Sequence, residues 1–237
     1  MDKSEISVII PVYNESAGIG KLLEYLSPMR GQCEIIFVDG GSSDDTVTQI
    51  EQAGHQAVRS PQKGRANQMN YGASLSNGEI LWFLHADSIP PADALAQIRE
   101  TLAKGREIGC FNIRFDSRHP LMLLTAFLSN NLRARCFSIA FGDQGIFIRQ
   151  GLFEKLGGYA AIPLMEDYQL SLDARAAGYR IGMATGSITT SSRRYQLHGH
   201  LRTILQMWIL QCRFRLGASP EELAAAYDDT KRRRTKP

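Results

Sequence analysis

Apolar positions in the first half of the chain switch regularly between two spacings. Ile6-Ser7-Val8-Ile9-Ile10 is a nearly continuous β-branched run ended by Pro11, the pattern of a strand covered on both faces. Ile19, Leu22, Leu23 and Leu26 follow at helical spacing within 17–29. The pair then repeats. Positions 34–38 read as a strand, and Asp39-Gly40-Gly41-Ser42-Ser43-Asp44-Asp45 opens a helix with its Ser and Asp caps. A short strand at 56–59, a helix at 65–75 and a strand at 79–84 ending at His85-Ala86-Asp87 continue the alternation. This rhythm predicts βαβ units in an α/β fold: a Rossmann-like, doubly wound, mainly parallel sheet with helices on both faces.

Beyond Pro90-Pro91 the pattern predicts a helix to residue 104 and a strand at 109–115, after which the rhythm breaks. An amphipathic helical stretch at 120–133, a strand at 145–149, a helical turn at 152–156, a helix at 166–177 ended by Gly178 and a strand at 179–184 come next. Helices at 201–216 and 220–228 form a helical C-terminal segment. No repeat or low-complexity linker interrupts this order. One domain over 1–218 is therefore expected, with halves at 1–104 and 105–218, followed by a C-terminal helix and basic tail at 219–237.

Charge changes the picture only when it is divided by position. The 237 residues carry 27 Lys+Arg against 24 Asp+Glu, a net +3, but residues 1–192 are net −3 and residues 193–237 net +6. A basic segment of this kind suits an anionic partner such as phosphate, nucleic acid or a lipid headgroup, with a solvated tail at 231–236 as the alternative. Cys33, Cys110, Cys136 and Cys212 form no C-x-x-C pair, so they read as free, mostly buried thiols rather than zinc ligands or a redox dithiol. The start Met-Asp-Lys-Ser-Glu leads directly into a strand with no secretory signal, which makes the cytoplasm the expected compartment. No apolar run reaches the roughly 18–20 residues of a membrane-spanning helix, so any membrane contact is expected to be peripheral, at the inner face.

Ligands of open α/β sheets lie beyond the carboxyl ends of the strands, which directs attention to three loops. The first, Pro11-Val12-Tyr13-Asn14-Glu15, offers an aromatic face and an amide. The second, Asp39-Gly40-Gly41-Ser42, places a carboxylate at a strand tip before glycines that permit close backbone approach, although a capping Asp in an ordinary turn has the same pattern. In the third, His85 and Asp87 can face one crevice and supply the donor types that suit a divalent ion, Asp87 being otherwise a strand-end cap. No G-x-x-x-x-G-K-[ST] phosphate loop is present, and Leu23 occupies the third glycine position of a dinucleotide fingerprint, which disfavours a dehydrogenase.

Together the loops resemble the bacterial family 2 glycosyltransferases. The resemblance runs through residues 7–15, 36–46, Gly64-Arg65-Ala66-Asn67-Gln68-Met69-Asn70, His85-Ala86-Asp87 and Met165-Glu166-Asp167. Gly142-Asp143-Gln144-Gly145 and Ser191-Ser192-Arg193-Arg194-Tyr195 are similar to a small subgroup associated with radical-SAM and selenodomain proteins. The family resemblance implies a GT-A fold and an inverting enzyme that moves a sugar from a nucleotide diphosphate donor, UDP- or GDP-linked, to an acceptor hydroxyl. It implies a nucleotide-sugar-binding half at 1–104 and an acceptor half at 105–218. Pro11, Tyr13, Asn14 and Glu15 would line the base and ribose pocket with Asp39 bonding the base edge, Gly40, Ser42, Asn67 and Ala86 would also bind the nucleotide sugar, and Arg65, Arg193 and Arg194 would lie near the diphosphate. Asp87 would hold Mg²⁺ or Mn²⁺, with His85 standing where the family's first D-x-D carboxylate lies and His198 or His200 available to complete the shell. Asp167 would be the general base, Glu166 a second catalytic carboxylate that orients the base or the acceptor, and Gly142, Asp143 and Gln144 the acceptor side.

The implied acceptor is small or lipid-linked, nucleic acid is not required, and the amphipathic stretches at 120–132 and 201–216 suit the core, a bilayer or a homodimer face. Two other readings compete. A sugar nucleotidyltransferase would carry a basic glycine-rich loop after strand one, whereas 11–20 holds no Arg or Lys. A non-catalytic nucleotide-sugar binder or membrane-peripheral adaptor would account for His85 and the basic tail.

Overall fold

The computed structural model describes residues 4–117, 119–192, 195–196 and 199–232. Its strands are β1 (Ile6–Val12), β2 (Glu34–Asp39), β3 (Ala57–Arg59), β4 (Ile80–Phe83), β5 (Ser88–Ile89), β6 (Ile108–Phe115), β7 (Phe147–Arg149) and β8 (Gly182–Thr190). They form one sheet in the order β3-β2-β1-β4-β7-β6-β8-β5. The helices are α1 (Ile19–Leu26), α2 (Thr46–Gln52), α3 (Arg65–Leu75), α4 (Ala94–Ala103), α5 (Pro120–Leu124), α6 (Arg133–Phe137), α7 (Gln150–Lys155), α8 (Glu166–Ala176), α9 (His200–Arg215) and α10 (Pro220–Arg232). A π-helical segment, Thr125–Leu132, joins α5 to α6.

The two faces of the sheet follow from the alternation of side chains along each strand. Val8, Ile10 and Val12 of β1, with Trp82 of β4, pack with α1 and α4 in one buried cluster. Ile9, Leu81 and Phe83 point the other way, into a second cluster with Ala66, Met69 and Ala73 of α3 and with Leu170 and Ala174 of α8. Each fully buried aliphatic or aromatic side chain of this kind contributes roughly 1.5–3 kcal/mol relative to exposure. A third cluster joins Ile139, Leu164, Met165 and Tyr168 to Leu210 of α9 and Leu223 of α10. The C-terminal helix is thereby docked on the domain.

The expected parallel order is confined to part of the sheet. β1 pairs in parallel with β2 and β4, and β2 with β3. β7, however, lies antiparallel between β4 and β6, and β8 is parallel to β6 but antiparallel to β5. Because β7 runs against β4, with Trp82 opposite Phe147, the turn that precedes β7 sits at the carboxyl end of β4. The ends of β6 and β8 meet there too, with Phe115 opposite Thr190. All loops carrying candidate chemistry thus open at one end of the sheet.

Two strand boundaries depart from expectation. Pro11 does not stop β1, which continues to Val12 with Pro11 opposite Val38. The backbone of Ile9 faces β4, where its carbonyl accepts from the Leu84 N–H at 3.0 Å, and Pro11 is in the same phase. The β1–β4 ladder ends at Ile9 and Phe83, so nothing there requires the N–H that proline lacks. β8 begins at Gly182 rather than 179, because the Tyr179 N–H still donates to the carbonyl of Ala174 in closing α8. It then runs through the polar residues to Thr190 that a hydrophobic pattern does not mark. The cysteines also divide: Cys33 and Cys110 are buried, whereas Cys136 and Cys212 are exposed. Burial pushes the Cys33 thiol up to about 11 and that of Cys110 to about 12.

Close approach of α3 to the sheet depends on Gly72. A Cβ there would lie 2.5 Å from Ile9 Cγ2 and 2.9 Å from Val38 Cγ2. Gly72→Ala is expected to lower unfolding stability by about 1–3 kcal/mol in a denaturant titration. Gly20→Ala in α1, where an added Cβ meets nothing within 4 Å, is expected to be neutral or to stabilise by up to about 1 kcal/mol.

Candidate functional site

The first wall of the site is made by two loops sewn together. Asn14, at φ 53°, accepts from the Ser43 N–H at 2.8 Å, and its own N–H donates to Ser42 Oγ at 3.0 Å. The Glu15 N–H donates to Thr46 Oγ1 at 2.8 Å and the Ser16 N–H to Asp44 at 3.1 Å. Hydrogen bonds from Thr46 and Ser16 hold the Asp44 carboxyl well below the usual carboxylate range. Asp39 accepts from the N–H groups of Gly41 at 3.0 Å and Ser42 at 2.9 Å, while its oxygens retain further lone pairs. Behind both loops the buried Gln68 amide donates to the carbonyls of Val12 at 2.9 Å and Val38 at 2.7 Å. A Cβ on Gly40 would lie 3.1 Å from that amide, so Gly40 admits the tie.

The opposite wall starts at Met165, which takes a left-handed conformation (φ 71°, ψ 19°) immediately before α8. Such a conformation in a non-glycine residue is held by its surroundings, and here it turns Glu166 and Asp167 to the two sides of one junction. Glu166 is 2% exposed, and its Oε1 meets Arg65 Nε at 2.5 Å. Its Oε2 is buried with no hydrogen-bond partner among the described residues. Burial raises the Glu166 carboxyl and the Arg65 charge opposes that rise. Arg65 is 43% exposed, so the rest of its guanidinium is open to the cleft. Asp167 Oδ2 accepts from the Gly142 N–H at 2.6 Å.

Between the walls lie the residues that follow β4. A Cβ on Gly142 would stand 2.4 Å from His85 Nε2, so the imidazole is seated only because Gly142 has no side chain. Burial, followed by the nearby Arg65 charge, pushes His85 down to about 3 and keeps the ring neutral. Asp87 opens into the cleft, where partial desolvation still raises its carboxyl.

These walls enclose a cleft of about 620 Å³ lined by Pro11, Tyr13, Glu15, Gly40, Lys63, Gly64, Arg65, Gln68, His85, Ala86 and Asp87. Pro163, Leu164 and, from α10, Ala224 and Tyr227 complete it. A second chamber of about 230 Å³ contains Asp143 and Asp167, with Phe115, Phe141, Thr190, Tyr195, Thr203 and Met207. Arg65, His85, Asp87, Leu164 and Tyr227 line both. The arrangement is a pair of chambers meeting at a cation, a neutral imidazole and a carboxylate.

Several expected site residues have other duties. Asn14, Asp39 and Ser42 hold the loops, and Asn67 donates to the Lys63 carbonyl at 2.8 Å. Gln144 is wholly buried, donating to the Phe111 carbonyl and accepting from Arg133, so it supports the turn and cannot meet an acceptor directly. His200 stacks on His119 with ring centroids 4.2 Å apart. Arg193, Arg194 and His198 lie outside the described residues. Lys63, Gln68 and Tyr227 were not anticipated. Lys63 had a signal, being a basic residue beside the Gly64-Arg65 helix start, whereas Tyr227 had none, since only the docking of α10 brings it near.

Among the described residues no group of three or more His, Cys, Asp or Glu could hold a metal unaided. The Asp87 carboxylate with a neutral His85 nevertheless fits a hard divalent ion that takes its remaining ligands from phosphate oxygens and water, the usual manner of Mg²⁺ in nucleotide sites.

The family model for Glycosyl transferase family 2 matches residues 7–157. The chain is 26% identical over 211 residues to the probable glycosyltransferase YdaM of Bacillus subtilis, covering 78% of this chain and 50% of that protein. It is 36% identical over 162 residues to an uncharacterized glycosyltransferase of Mycobacterium tuberculosis, covering 65% of this chain and 62% of that one. The chain thus spans about half to three-fifths of the length of these curated relatives. Among solved structures, glucosyl-3-phosphoglycerate synthase from Mycobacterium tuberculosis, in complex with Mn²⁺, uridine diphosphate and glucosyl-3-phosphoglycerate, superposes with a TM-score of 0.62 at 19% identity. That match covers 89% of this chain and 80% of the other. The fold is GT-A.

The smaller chamber has a titration that can be read independently of activity. Burial pushes Asp143 up to about 7, against the opposing charge of Arg133, and its Oδ1 is buried without a hydrogen-bond partner among the described residues. A carboxyl raised in the folded state stabilises when protonated, so its contribution is complete below about pH 4 and is lost as pH rises through about 7. Asp143→Asn, which is neutral throughout, is expected to melt about 2–4 °C above the parent at pH 8, the shift from roughly 1 kcal/mol in a chain this long. The gap should close toward pH 4 in a pH series of calorimetric melts.

Proposed function

The chain belongs to glycosyl transferase family 2, and we propose that it is an inverting glycosyltransferase that moves a sugar from a nucleotide diphosphate donor to an acceptor hydroxyl. The observation that carries this reading is the meeting of two chambers at Arg65, His85 and Asp87, with Asp167 opening into the second. The donor occupies the larger cleft. Tyr13, half-exposed at its mouth, offers a ring face to the base, and Asp39 has lone pairs left for a base N–H. Pro11, Glu15, Gly40 and Ala86 shape the same side, while Asn14, Ser42 and Asn67 act by holding the loops in place. Arg65 and Lys63 face the diphosphate. Glu166 fixes one edge of the Arg65 guanidinium, so the remaining N–H donors point in a defined direction.

The acceptor enters the smaller chamber, where Asp167 takes the proton of its hydroxyl as the oxygen attacks the anomeric carbon and the bond to the diphosphate oxygen breaks. The Gly142 N–H holds Asp167 Oδ2 and leaves the carboxylate oriented for that transfer. Mg²⁺ or Mn²⁺ held by Asp87 and His85 would neutralise the charge developing on the nucleoside diphosphate. Support for a UDP-type donor comes from the structural neighbour solved with uridine diphosphate and Mn²⁺. The 142–145 and 191–195 stretches support placement in the subgroup associated with radical-SAM and selenodomain proteins, which by itself names no sugar.

The test is calorimetry across UDP- and GDP-sugars with and without Mg²⁺ or Mn²⁺, paired with turnover. Metal-dependent binding of one nucleotide class is expected. Asp167→Asn should keep donor affinity within about twofold while turnover falls at least about hundredfold, the usual size of a lost general base. Undiminished turnover in Asp167→Asn would remove the base assignment, and binding without turnover in the parent would leave a non-catalytic binder.

A further inference from the structure

One face of the acceptor half carries large apolar side chains that are exposed to solvent. Leu123 and Leu124 of α5 and Phe127 of the π-helical segment are each more than half exposed, as are Leu201, Leu205 and Trp208 of α9. Leu201, Leu205 and Trp208 stand at i, i+4 and i+7, on one side of their helix. The two elements are neighbours: His119 at the start of α5 stacks on His200 at the start of α9. Farther along, Thr125 and Trp208 line the same groove. Single exposed apolar residues need no explanation, but six large ones on adjoining helices do.

The rim of this face is basic. Arg202 and Arg213 are exposed on the next stripe of α9, together with Ile209 and Leu216. Arg213 lies 3.9 Å from Glu222 at the edge toward α10, and residues 193–237 as a whole are net +6. An apolar centre flanked by cations is the composition of a helix lying in a membrane interface. The face also leads inward. A narrow groove of about 60 Å³ opens beside Trp208 and passes Arg133, Phe141 and Asp143. Phe141, Asp143, Tyr195 and Met207 line both this groove and the chamber that holds Asp167. Arg133, 3.8 Å above the Phe141 ring, places a positive charge along the way.

We propose that this face rests on an anionic membrane surface and that the acceptor is a lipid-anchored amphiphile. Its polar headgroup enters the chamber that holds Asp167, which shares a wall of Phe141, Asp143 and Met207 with the groove beside Trp208, and its apolar chain stays against Phe127, Leu205 and Trp208. The acceptor assignment rests on the glycosyltransferase reading above. Lipid suits the face better than a second copy of the chain, since Arg202 and the net +6 of residues 193–237 are complemented by anionic headgroups, whereas a second copy brings the same positive segment to the contact.

The chain has two tryptophans, and Trp82 is wholly buried. A blue shift of emission on adding vesicles therefore reports Trp208. The full chain is floated with vesicles of phosphatidylcholine alone or mixed with phosphatidylglycerol, alongside the doubly substituted Leu201→Glu, Leu205→Glu variant. The parent should co-float with the anionic vesicles, with a blue shift that high salt weakens. The variant, altered only at exposed positions, should partition at least tenfold less while binding the nucleotide sugar unchanged. Absence of co-flotation, or equal co-flotation of the variant, overturns the proposal. A dimer in sedimentation that the variant dissolves, without vesicle binding, overturns it in favour of a second copy on this face. Donor binding without vesicle binding sinks this proposal alone, whereas vesicle binding without donor binding sinks the glycosyltransferase reading and the acceptor assignment with it.

Discussion

The contact on which the site depends is the ion pair between Arg65 and Glu166, 2.5 Å apart and 101 residues distant along the chain. It joins the start of α3, which belongs to the parallel half of the sheet, to the start of α8, which belongs to the mixed half. Glu166 is 2% exposed, and its second oxygen has no hydrogen-bond partner among the described residues. Removing Arg65 would leave that carboxylate wholly unpaired, a loss of roughly 3–5 kcal/mol in a closed interior. The value is smaller here because the guanidinium is 43% open to the cleft. The pair therefore serves chiefly to aim Arg65. It sets one cation at the boundary between two chambers and points its free donors toward the larger one.

Around that contact the sheet supplies a shared end. Four strands, β3-β2-β1-β4, deliver the loops after β1, β2 and β4 in the ordinary way of a parallel sheet. The antiparallel insertion of β7 then brings a loop from before a strand, at 142–145, to the same place. That loop does two things at once. The Gly142 N–H holds Asp167, and its missing side chain makes room for His85. A third consequence follows from Gly145, whose positive φ of 58° and close neighbours Ile188 and Trp82 leave no space for a Cβ. The turn is confined by the core below it and the site above it.

Much of the first half was legible from one-dimensional pattern. The runs at 6–10 and 34–38 and the helical spacing of Ile19, Leu22, Leu23 and Leu26 are local consequences of burial on one or two faces, and they recur in the structure as β1, β2 and α1. The motif residues Arg65, His85, Asp87, Glu166 and Asp167 likewise come together at one junction. Pro11 was misread because a proline's cost depends on whether a neighbouring strand wants its N–H, and β4 ends before that level. The end of β8 was missed because Gly186, Ser187, Thr189 and Thr190 extend the strand toward the sheet end with little apolar content. Gln144 and Asn67 looked like contacts because an amide beside a glycine-rich motif gives no sign of whether it turns toward solvent or toward backbone carbonyls.

By itself the sequence determined most of the element order, though not the two-residue strand β5, together with the α/β class and the list of residues able to do chemistry, because each of these depends on short-range periodicity or side-chain type. Tertiary structure alone decided which charges pair, which amides are consumed inside loops, and that α10 brings Tyr227 over the cleft. It also decided that the amphipathic stretches at α5 and α9 leave exposed apolar side chains beside the smaller chamber. Periodicity shows that a helix has an apolar side, but only packing shows whether anything in the chain lies against it. The basic C-terminal stretch acquires its meaning in the same way, from the surface it borders.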